Sequence, residues 1–183
     1  MSVYPLLLKG VADAAFRGHV EALTRDNAHL FKANKVNPER RRNFVFGDEF
    51  DPILAAKKQA LVTRLGFRDW IADPKFRDFI GCIAEGAAVH PHRDGALEGH
   101  MHVRINLLIA KPDAGGIAKL DGIAIDPEEG DGWLCFASHC EHSSTRVQGK
   151  RERRVLSYGL QVAQAEAFPL YAQFLHWKMK RAA

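Results

Sequence analysis

Cysteine is scarce in this sequence, and long apolar runs are missing. The three cysteines, Cys82, Cys135 and Cys140, are odd in number and lack paired CxxC spacing, which argues against a disulfide framework and against a zinc ribbon. No segment approaches the roughly 20 apolar residues that a membrane-spanning helix needs. The apolar stretch that begins near Met1 is far too short for the core of a secretion signal. We therefore expect a cytoplasmic protein that does not enter a membrane.

A strong excess of one charge sign is also missing. The net charge is +4, and the basic residues are spread along the chain except for two clusters, Arg40 to Arg42 and Lys150 to Arg154. This is too little to indicate nucleic-acid binding by itself, so we expect no nucleic-acid partner. We expect the first cluster, Arg40, Arg41 and Arg42, to be a solvated face, with an anion clamp on a substrate as the alternative.

The length and the apolar content suit one globular domain with a sizeable core, since 46% of the 183 residues are hydrophobic. Apolar residues recur at helical spacing in three segments, which predicts helices over Val11–Arg25, Pro52–Leu65 and Phe168–Arg181. Short β-type runs separated by Gly, Pro and Asp turns fill most of the rest. They cover Phe79–Ala84, Ala87–His92, His102–Ala110, Gly116–Leu120, Gly132–Phe136 and Arg153–Val162.

Many short strands without intervening helices imply antiparallel sheets that close as a sandwich or jelly roll. The predicted fold class is therefore mainly β with flanking helices. We divide the single domain, 1–183, into a helical N-terminal support (1–78), a β core (79–162) and a C-terminal helix (163–183). Within the support, Asn37–Asp51 mixes arginines, acids and phenylalanines without a clear period, which is typical of a long loop, and we predict a lid there.

Two histidines and an aspartate carry the strongest chemical signal. His92 and Asp94 are two residues apart, and His142 follows about fifty residues later in the run from Phe136. In an extended segment, residues i and i+2 point to the same side, so His92 and Asp94 can offer an imidazole and a carboxylate to one point. Two imidazoles and one carboxylate form the facial triad that holds non-heme Fe(II) and leaves coordination positions open.

Other histidines compete for these roles. His90 lies on the same predicted strand face as His92, which leaves open a cupin-type pair, although Glu98 is too far downstream for the usual cupin glutamate. His139 is an odd number of residues from His142 and is expected on the opposite face. His100 and His102 border a predicted loop and are expected to face solvent or to support a ligand from behind.

Four segments together resemble the Fe(II)/2-oxoglutarate-dependent oxygenase superfamily. They are VHPHRD from Val89 to Asp94, HVRINLLI from His102, EGDGWLCF from Glu129 through to His142, and RRVLS from Arg153 to Ser157. The chain is most similar to the prolyl 4-hydroxylase-like and aspartyl/asparaginyl β-hydroxylase-like branches. The resemblance covers roughly Gly81 to Val162. It implies a double-stranded β-helix, Fe(II) held by His92, Asp94 and His142, and 2-oxoglutarate and O2 as cosubstrates.

The resemblance also implies a cation for the far carboxylate of 2-oxoglutarate, and an arginine can grip both oxygens. Arg153 and Arg154 are neighbours on opposite faces of a strand. We favour Arg153 with Ser157, because the face of Arg153 continues through small residues that leave room for a ligand, and keep Arg154 as the alternative. The β-hydroxylase-like branch would use Arg104, with Asn106 standing where that branch carries a histidine. Arg104 is equally well explained as the partner of a buried carboxylate.

The implied activity is hydroxylation of an unactivated C–H bond in a small metabolite or an amino-acid side chain, free or in a peptide, with succinate and CO2 as co-products. A nucleic-acid demethylase would be expected to carry a second arginine six residues after the first, where Gly159 and Leu160 stand. Two alternatives stay open: a cupin-type metalloenzyme, and a non-catalytic jelly roll that binds a small molecule.

Overall fold

The structure is a computed structural model that describes residues 4–35 and 38–182. The described residues form three α-helices, one short 3-10 helix (Ala28–Leu30) and thirteen strands. The α-helices are α1 (Ala14–Asp26), α2 (Pro52–Leu65) and α3 (Gln164–Ala182). The strands are β1 (Leu7–Leu8), β2 (Lys32–Ala33), β3 (Arg41–Phe46), β4 (Trp70–Ala72), β5 (Asp78–Ile83), β6 (His100–Ala110), β7 (Ala114–Gly115), β8 (Ala118–Leu120), β9 (Ile123–Ile125), β10 (Gly132–Phe136), β11 (His142–Ser144), β12 (Val147–Gln148) and β13 (Arg153–Ala163).

One large antiparallel sheet organises the molecule. Its strand order is β1-β10-β6-β13-β5-β3-β2, with β4 pairing at the end of β13. The three-stranded sheet β11-β8-β9 and the pair β12-β7 form the other layer. Residues of both layers line one central cavity. The long strands β6 and β13 lie side by side in the middle of this sheet, and most of their side chains are buried.

The helices cover the outer face of the large sheet, and α1 and α2 each begin after an aspartate that caps the helix. Asp51 accepts hydrogen bonds from the backbone N–H groups of Ile53 and Leu54 at 2.9 Å and caps α2, and Pro52 takes the first helical position, where no N–H is needed. The buried Tyr158 hydroxyl of β13 donates to the carbonyl of Leu54 at 3.0 Å. That bond fixes α2 against the sheet.

The predicted elements agree with the structure where the sequence period is strong. The helix Pro52–Leu65 and the strand Gly132–Phe136 have the predicted bounds, and the other two helices differ by a few residues at their ends. The N-terminal section is less helical than predicted, because β1 to β4 lie within it. Within residues 4–35 and 38–182, the structure contains no helix that is both long and apolar enough to cross a membrane.

The prediction of a loop and lid over Asn37–Asp51 is wrong for most of that segment. Arg41–Phe46 is a regular strand, paired with β5 on one side and β2 on the other. Phe44 and Phe46 are buried and pack against Phe50, so these rings belong to the core and do not close over a site. Asn37 itself lies outside the described residues.

The predicted strand Ala87–His92 is also wrong. The segment is extended but irregular, with one isolated bridge between His92 and His142 and scattered bonds such as Ser144 N–H to the carbonyl of Val89 at 3.0 Å. Pro91 has no N–H to donate, which prevents a continuous ladder next to the bridge. The segment therefore lies beside β11 and β12 without joining a sheet.

Candidate active site

His92, Asp94 and His142 come together at the mouth of the cavity. Their ligand atoms all lie within 4.8 Å of one another. Asp94 Oδ1 is 3.9 Å from His92 Nε2, and Asp94 Oδ2 is 3.8 Å from His142 Nε2. Metal ions bind such donors at about 2.0–2.2 Å, so two donors on one ion lie about 4 Å apart or closer. The two separations between Asp94 and the histidines meet this condition, and the three groups together could hold one metal ion.

The backbone positions all three ligands. His92 and His142 exchange reciprocal backbone hydrogen bonds, 3.2 Å and 2.9 Å long, that place their side chains together. The backbone N–H of Asp94 donates to the carbonyl of Ala137 at 2.8 Å. This bond ties the aspartate to the end of β10. The triad thus depends on the pairing of the irregular segment with β11 and not on a regular strand.

Each histidine ring is oriented by a contact with the backbone carbonyl two residues before it. His92 Nδ1 lies 2.7 Å from the carbonyl oxygen of His90, and His142 Nδ1 lies 3.3 Å from that of Cys140. A carbonyl oxygen accepts only, so each Nδ1 carries the proton and each Nε2 presents its lone pair to the site. Burial lowers the pKa of His142, which favours the neutral ring that metal binding requires.

The competing histidines lie elsewhere. His139 Nδ1 is 2.8 Å from Ser138 Oγ, and its ring packs on the edge of Tyr171. His90 is exposed at the mouth of the cavity, and His100 Nδ1 lies 2.8 Å from the carbonyl oxygen of Glu98. None of these three belongs to the cluster of converging ligand atoms in the described chain.

His102 does not face solvent but lies behind Asp94, which is the second of the two positions that the sequence left open for it. Its fully buried ring lies between two carboxylates, with Nδ1 3.6 Å from Asp94 Oδ2 and Nε2 3.4 Å from Asp73 Oδ2. Phe76 stacks parallel to it at 6.3 Å. Burial, reinforced by the positive charge of Arg104, lowers the pKa of His102 to about 4. A neutral ring therefore separates the ligand Asp94 from Asp73.

The cavity extends from this cluster into the layer between the sheets. Its volume is about 560 Å³, within the range of small-molecule sites, about 300–1,000 Å³. The large sheet contributes one face in register: Arg41, Asn43 and Val45 of β3, Phe79, Gly81 and Ile83 of β5, Arg153, Val155 and Ser157 of β13, and Arg104 and Asn106 of β6. The smaller sheet contributes the opposite wall through Lys119 and Ser143.

Arg153 lies deep in this cavity, and no carboxylate of residues 4–35 and 38–182 forms an ion pair with it. It is 6% exposed, and its guanidinium sits 5.7 Å from the ring centre of Trp133. Burial, followed by the positive charge of Arg41, lowers the pKa of Arg153 to about 10. Four residues on, the buried Ser157 hydroxyl finds no hydrogen-bond partner in the described part of the chain. Unpaired buried polar groups are rare in folded proteins and indicate a missing ligand or water.

Arg154 points to the other face of β13. Its guanidinium approaches Glu21 at 3.7 Å and Glu152 at 3.6 Å. It is not among the residues that line the cavity. Arg154, the alternative cosubstrate anchor, therefore has two acidic neighbours outside the cavity. Arg153, the favoured anchor, lies inside it.

Arg104 lines the cavity but is already paired. It donates to Asp73 Oδ2 at 3.1 Å and to the carbonyl oxygen of Arg77 at 2.7 Å. This is the buried-carboxylate arrangement that the sequence left as the alternative. Asn106, opposite Ser157 across the β6 and β13 ladder, also lines the cavity and is partly exposed to it.

The arginine cluster divides between two sides. Arg41 lines the cavity. Arg42 points away and pairs with Glu152 at 3.2 Å, and the exposed Arg40 lies against Gly86. Of the three residues suggested as an anion clamp, the structure therefore brings one to the site.

Comparison with known proteins finds a match in structure alone. No protein-family profile matches the sequence, and no curated protein matches it. A prolyl hydroxylase from Trichoplax adhaerens, solved with a peptide of hypoxia inducible factor, superposes with a TM-score of 0.62 at 12% identity, over 87% of this chain and 84% of that one. HygX from Streptomyces hygroscopicus, solved with nickel and 2-oxoglutarate, gives 0.62 at 12%, over 85% and 81%. The chain has the fold of these proteins.

A third solved structure extends the likeness. An oxidoreductase of the 2OG-Fe(II) oxygenase family from Burkholderia pseudomallei superposes with a TM-score of 0.62 at 17% identity, over 85% of this chain and 82% of that one. The agreement spans most of each chain. The predicted jelly-roll fold is confirmed.

Proposed function

We propose that this chain is an Fe(II)- and 2-oxoglutarate-dependent oxygenase that hydroxylates an unactivated C–H bond of a small metabolite or an amino-acid side chain. One observation carries the proposal. A converging His, Asp and His set stands at the mouth of a cavity whose deep end holds a buried arginine, Arg153, that pairs with no carboxylate of the described residues. The fold shared with HygX, solved with nickel and 2-oxoglutarate, supports it.

His92, Asp94 and His142 would hold the metal. Two imidazoles with one carboxylate suit Fe(II) and leave positions for further ligands. Bound Fe(II) would supply the reaction with dioxygen in which 2-oxoglutarate becomes succinate and CO2 and the substrate gains a hydroxyl group. His102, held between Asp94 and Asp73, would keep the Asp94 carboxylate aimed at the ion, since its neutral ring fills the space behind that side chain.

Arg153 and Ser157 would hold the far carboxylate of 2-oxoglutarate. The guanidinium offers a charged planar fork, and the serine hydroxyl offers one more donor from the same strand face. In the described chain, Arg153 has no carboxylate partner and the Ser157 hydroxyl has no hydrogen-bond partner. One incoming carboxylate would pair with both groups. Asn106, opposite Ser157 in the sheet and also in the cavity wall, would add a side-chain amide to the same ligand.

The cavity wall would exclude water from the reaction. Trp133, Val155 and Phe79 present apolar surface in the cavity that holds Arg153 and the triad. A dry environment strengthens each charge-assisted contact to the bound acid. The cavity volume of about 560 Å³ fits a small molecule together with 2-oxoglutarate better than a folded partner.

The test combines metal stoichiometry with product analysis. Purified protein should bind one Fe(II) per chain and, in air, convert 2-oxoglutarate to succinate when a panel of amino acids, short peptides and small acids is added. His92→Ala, Asp94→Ala and His142→Ala should each remove metal binding and succinate formation. His139→Ala, which changes a neighbouring histidine outside the cluster, should preserve both.

Other outcomes have distinct meanings. Metal binding lost in His139→Ala but kept in His142→Ala would show that the third ligand is misassigned. Metal binding without any affinity for 2-oxoglutarate would favour a cupin-type metalloenzyme. Binding of both, with no oxygen consumed for any compound of the panel, would favour a non-catalytic binding protein.

A further inference from the structure

A second arginine shares the cavity with Arg153. Arg41 of β3 pairs with Ile83 of β5, and Ile83 pairs with Arg153 of β13. Directly opposed residues in antiparallel strands point to the same face, and all three line the cavity. With neighbouring strands about 4.8 Å apart, the backbones of the two arginines are roughly 10 Å apart. Their side chains thus enter one cavity from parallel positions.

Arg41 has no counter-charge within the described residues. No carboxylate forms an ion pair with it, and burial lowers its pKa without any opposing contribution from an acid. Its positive charge lowers the pKa of Arg153 in turn, so the two guanidiniums disfavour each other. Two cations held together in one cavity call for more negative charge than the described residues provide there.

The cosubstrate alone does not meet this requirement. One carboxylate of 2-oxoglutarate would lie at the metal, where it and Asp94 balance the two charges of Fe(II). The far carboxylate carries a single charge, which Arg153 and Ser157 already match. Arg41 therefore stays uncompensated after the metal and 2-oxoglutarate are bound.

Position in the sheet separates the two arginines further. Arg153 is on β13, between β5 and β6 in the middle of the sheet, whereas β3 is followed only by the two-residue edge strand β2. Arg153 is buried and Arg41 is partly exposed. The inner arginine suits a ligand that binds first and deep, and the outer one suits a ligand that enters afterwards.

The surroundings of Arg41 favour a small polar anion. Asn43 follows it on the same face, and Gly81 beside Asn43 leaves that part of the wall open. Across the cavity, Lys119 of the smaller sheet also forms no ion pair within the described residues. A planar guanidinium next to an amide side chain is suited to a carboxylate, which accepts two parallel hydrogen bonds from the first and one from the second.

We propose that the primary substrate is a small carboxylic acid whose carboxylate is bound by Arg41, with Asn43 as a second donor. This deepens the proposed function and rests on it, because the substrate must lie next to the metal and 2-oxoglutarate. The substrate is thereby narrowed from any small metabolite to one that carries a free carboxylate.

The test compares acids with amides of the same shape. Protein loaded with Mn(II) and 2-oxoglutarate without oxygen is titrated calorimetrically with a panel of small carboxylic acids and their primary amides. At least one acid should bind about 10-fold or more tightly than its amide, which corresponds to about 1.4 kcal/mol. Arg41→Gln should abolish this preference and change the affinity for 2-oxoglutarate by less than about 3-fold.

Two further variants control for charge and folding. Arg42→Gln removes the same charge one residue away, on the side that faces Glu152, and should keep the preference for acids. Arg41→Lys keeps the charge but not the fork and should retain part of the preference. Because Arg41 has no partner in the described chain, its replacement should leave the melting temperature of the ligand-free protein nearly unchanged.

The proposal is overturned if no acid binds better than its amide, if the preference survives in Arg41→Gln, or if that variant loses 2-oxoglutarate as severely as Arg153→Gln does. The last result would make Arg41 part of the cosubstrate site. Failure of the wild type to bind 2-oxoglutarate would instead refute the proposed function. In that case, the same titrations on the metal-free protein still decide whether Arg41 binds carboxylates.

Discussion

Two buried cations in this protein, Lys58 and Arg153, have opposite electrostatic surroundings. Lys58 of α2 is 2% exposed and lies 3.0 Å from both Asp78 and Asp48, with its ammonium 5.5 Å from the ring centre of Trp70. Arg153 is 6% exposed and faces a tryptophan and a second arginine, with no acid beside it in the described residues. The first cluster is balanced by the chain, and the second is not.

This difference distinguishes a buried cation that stabilises the fold from one that binds a ligand. Removing an ion from water costs several kcal/mol, which nearby opposite charges and hydrogen bonds offset. For Lys58, the two aspartates offset this cost in the folded protein. The ion pair with Asp78 also joins α2 to β5, and Asp78 accepts a further hydrogen bond from Gly159 N–H at 2.9 Å. For Arg153, the cost of burial is offset only when an anion binds. A buried cation without an acid therefore indicates a binding site more strongly than a buried cation does in general.

Lys58→Met should have the largest effect, and it should act on stability. The substitution keeps the apolar stem but leaves the buried Asp78 without its cation, so the free energy of unfolding should fall by about 3–5 kcal/mol. Urea denaturation measures this loss. The affinity of the folded variant for 2-oxoglutarate should be unchanged, because α2 lies outside the cavity.

A second substitution sharpens this result. Lys58→Met combined with Asp78→Asn removes both charges and should recover part of the lost stability, since no unpaired ion is then buried. If Lys58→Met alone cost less than about 1 kcal/mol, the cluster would behave like a surface ion pair, and the contrast with Arg153 would disappear.

Arg153→Met is the matched change in the cavity, and it should act on binding. Loss of a charge-assisted pair in a partly dry site costs about 2–4 kcal/mol, so the dissociation constant of 2-oxoglutarate should rise about 30-fold to 1,000-fold. Fe(II) affinity should barely change. The ligand-free protein should be as stable as the wild type or more stable, because the substitution removes an uncompensated buried charge.

Calorimetry with 2-oxoglutarate and urea denaturation without it measure these two quantities separately. A strongly destabilised Arg153→Met that still bound 2-oxoglutarate normally would reverse the comparison. Arg153 would then be a structural cation like Lys58, and the cosubstrate anchor would have to be sought elsewhere in the cavity.

The sequence predicts the parts of the site that depend on short spacing. His92 and Asp94 lie two residues apart, so their convergence follows from local geometry, and the strand face of Arg153 follows from alternation through Ser157. The place of His102 does not. Its neighbour Asp73 follows β4, which pairs with β13, and only the register of the sheet brings that aspartate behind Asp94.

The strand β3 was missed for a related reason. Its alternation is present in the sequence, with Phe44 and Phe46 on one face and Arg41, Asn43 and Val45 on the other. Polar residues on such a face normally indicate solvent, and three successive arginines hide the period. Here the polar face lines a cavity. The prediction failed because a binding wall and a solvated surface share one residue composition.

Arg154→Met should have the smallest effect and completes the matched set. Its guanidinium approaches Glu21 and Glu152 at 3.6–3.7 Å, and all three side chains are partly exposed. Ion pairs in contact with solvent contribute about 0–1 kcal/mol. Methionine keeps most of the packing of the aliphatic stem. The free energy of unfolding should therefore fall by no more than about 1 kcal/mol, and 2-oxoglutarate should bind as to the wild type.

The same calorimetric titration decides between Arg153 and Arg154 as the cosubstrate anchor, since Arg153→Met and Arg154→Met each remove one positive charge. If Arg154→Met weakened 2-oxoglutarate binding and Arg153→Met did not, the cosubstrate would be anchored from the outer face of β13, and the unpaired arginine in the cavity would need another ligand.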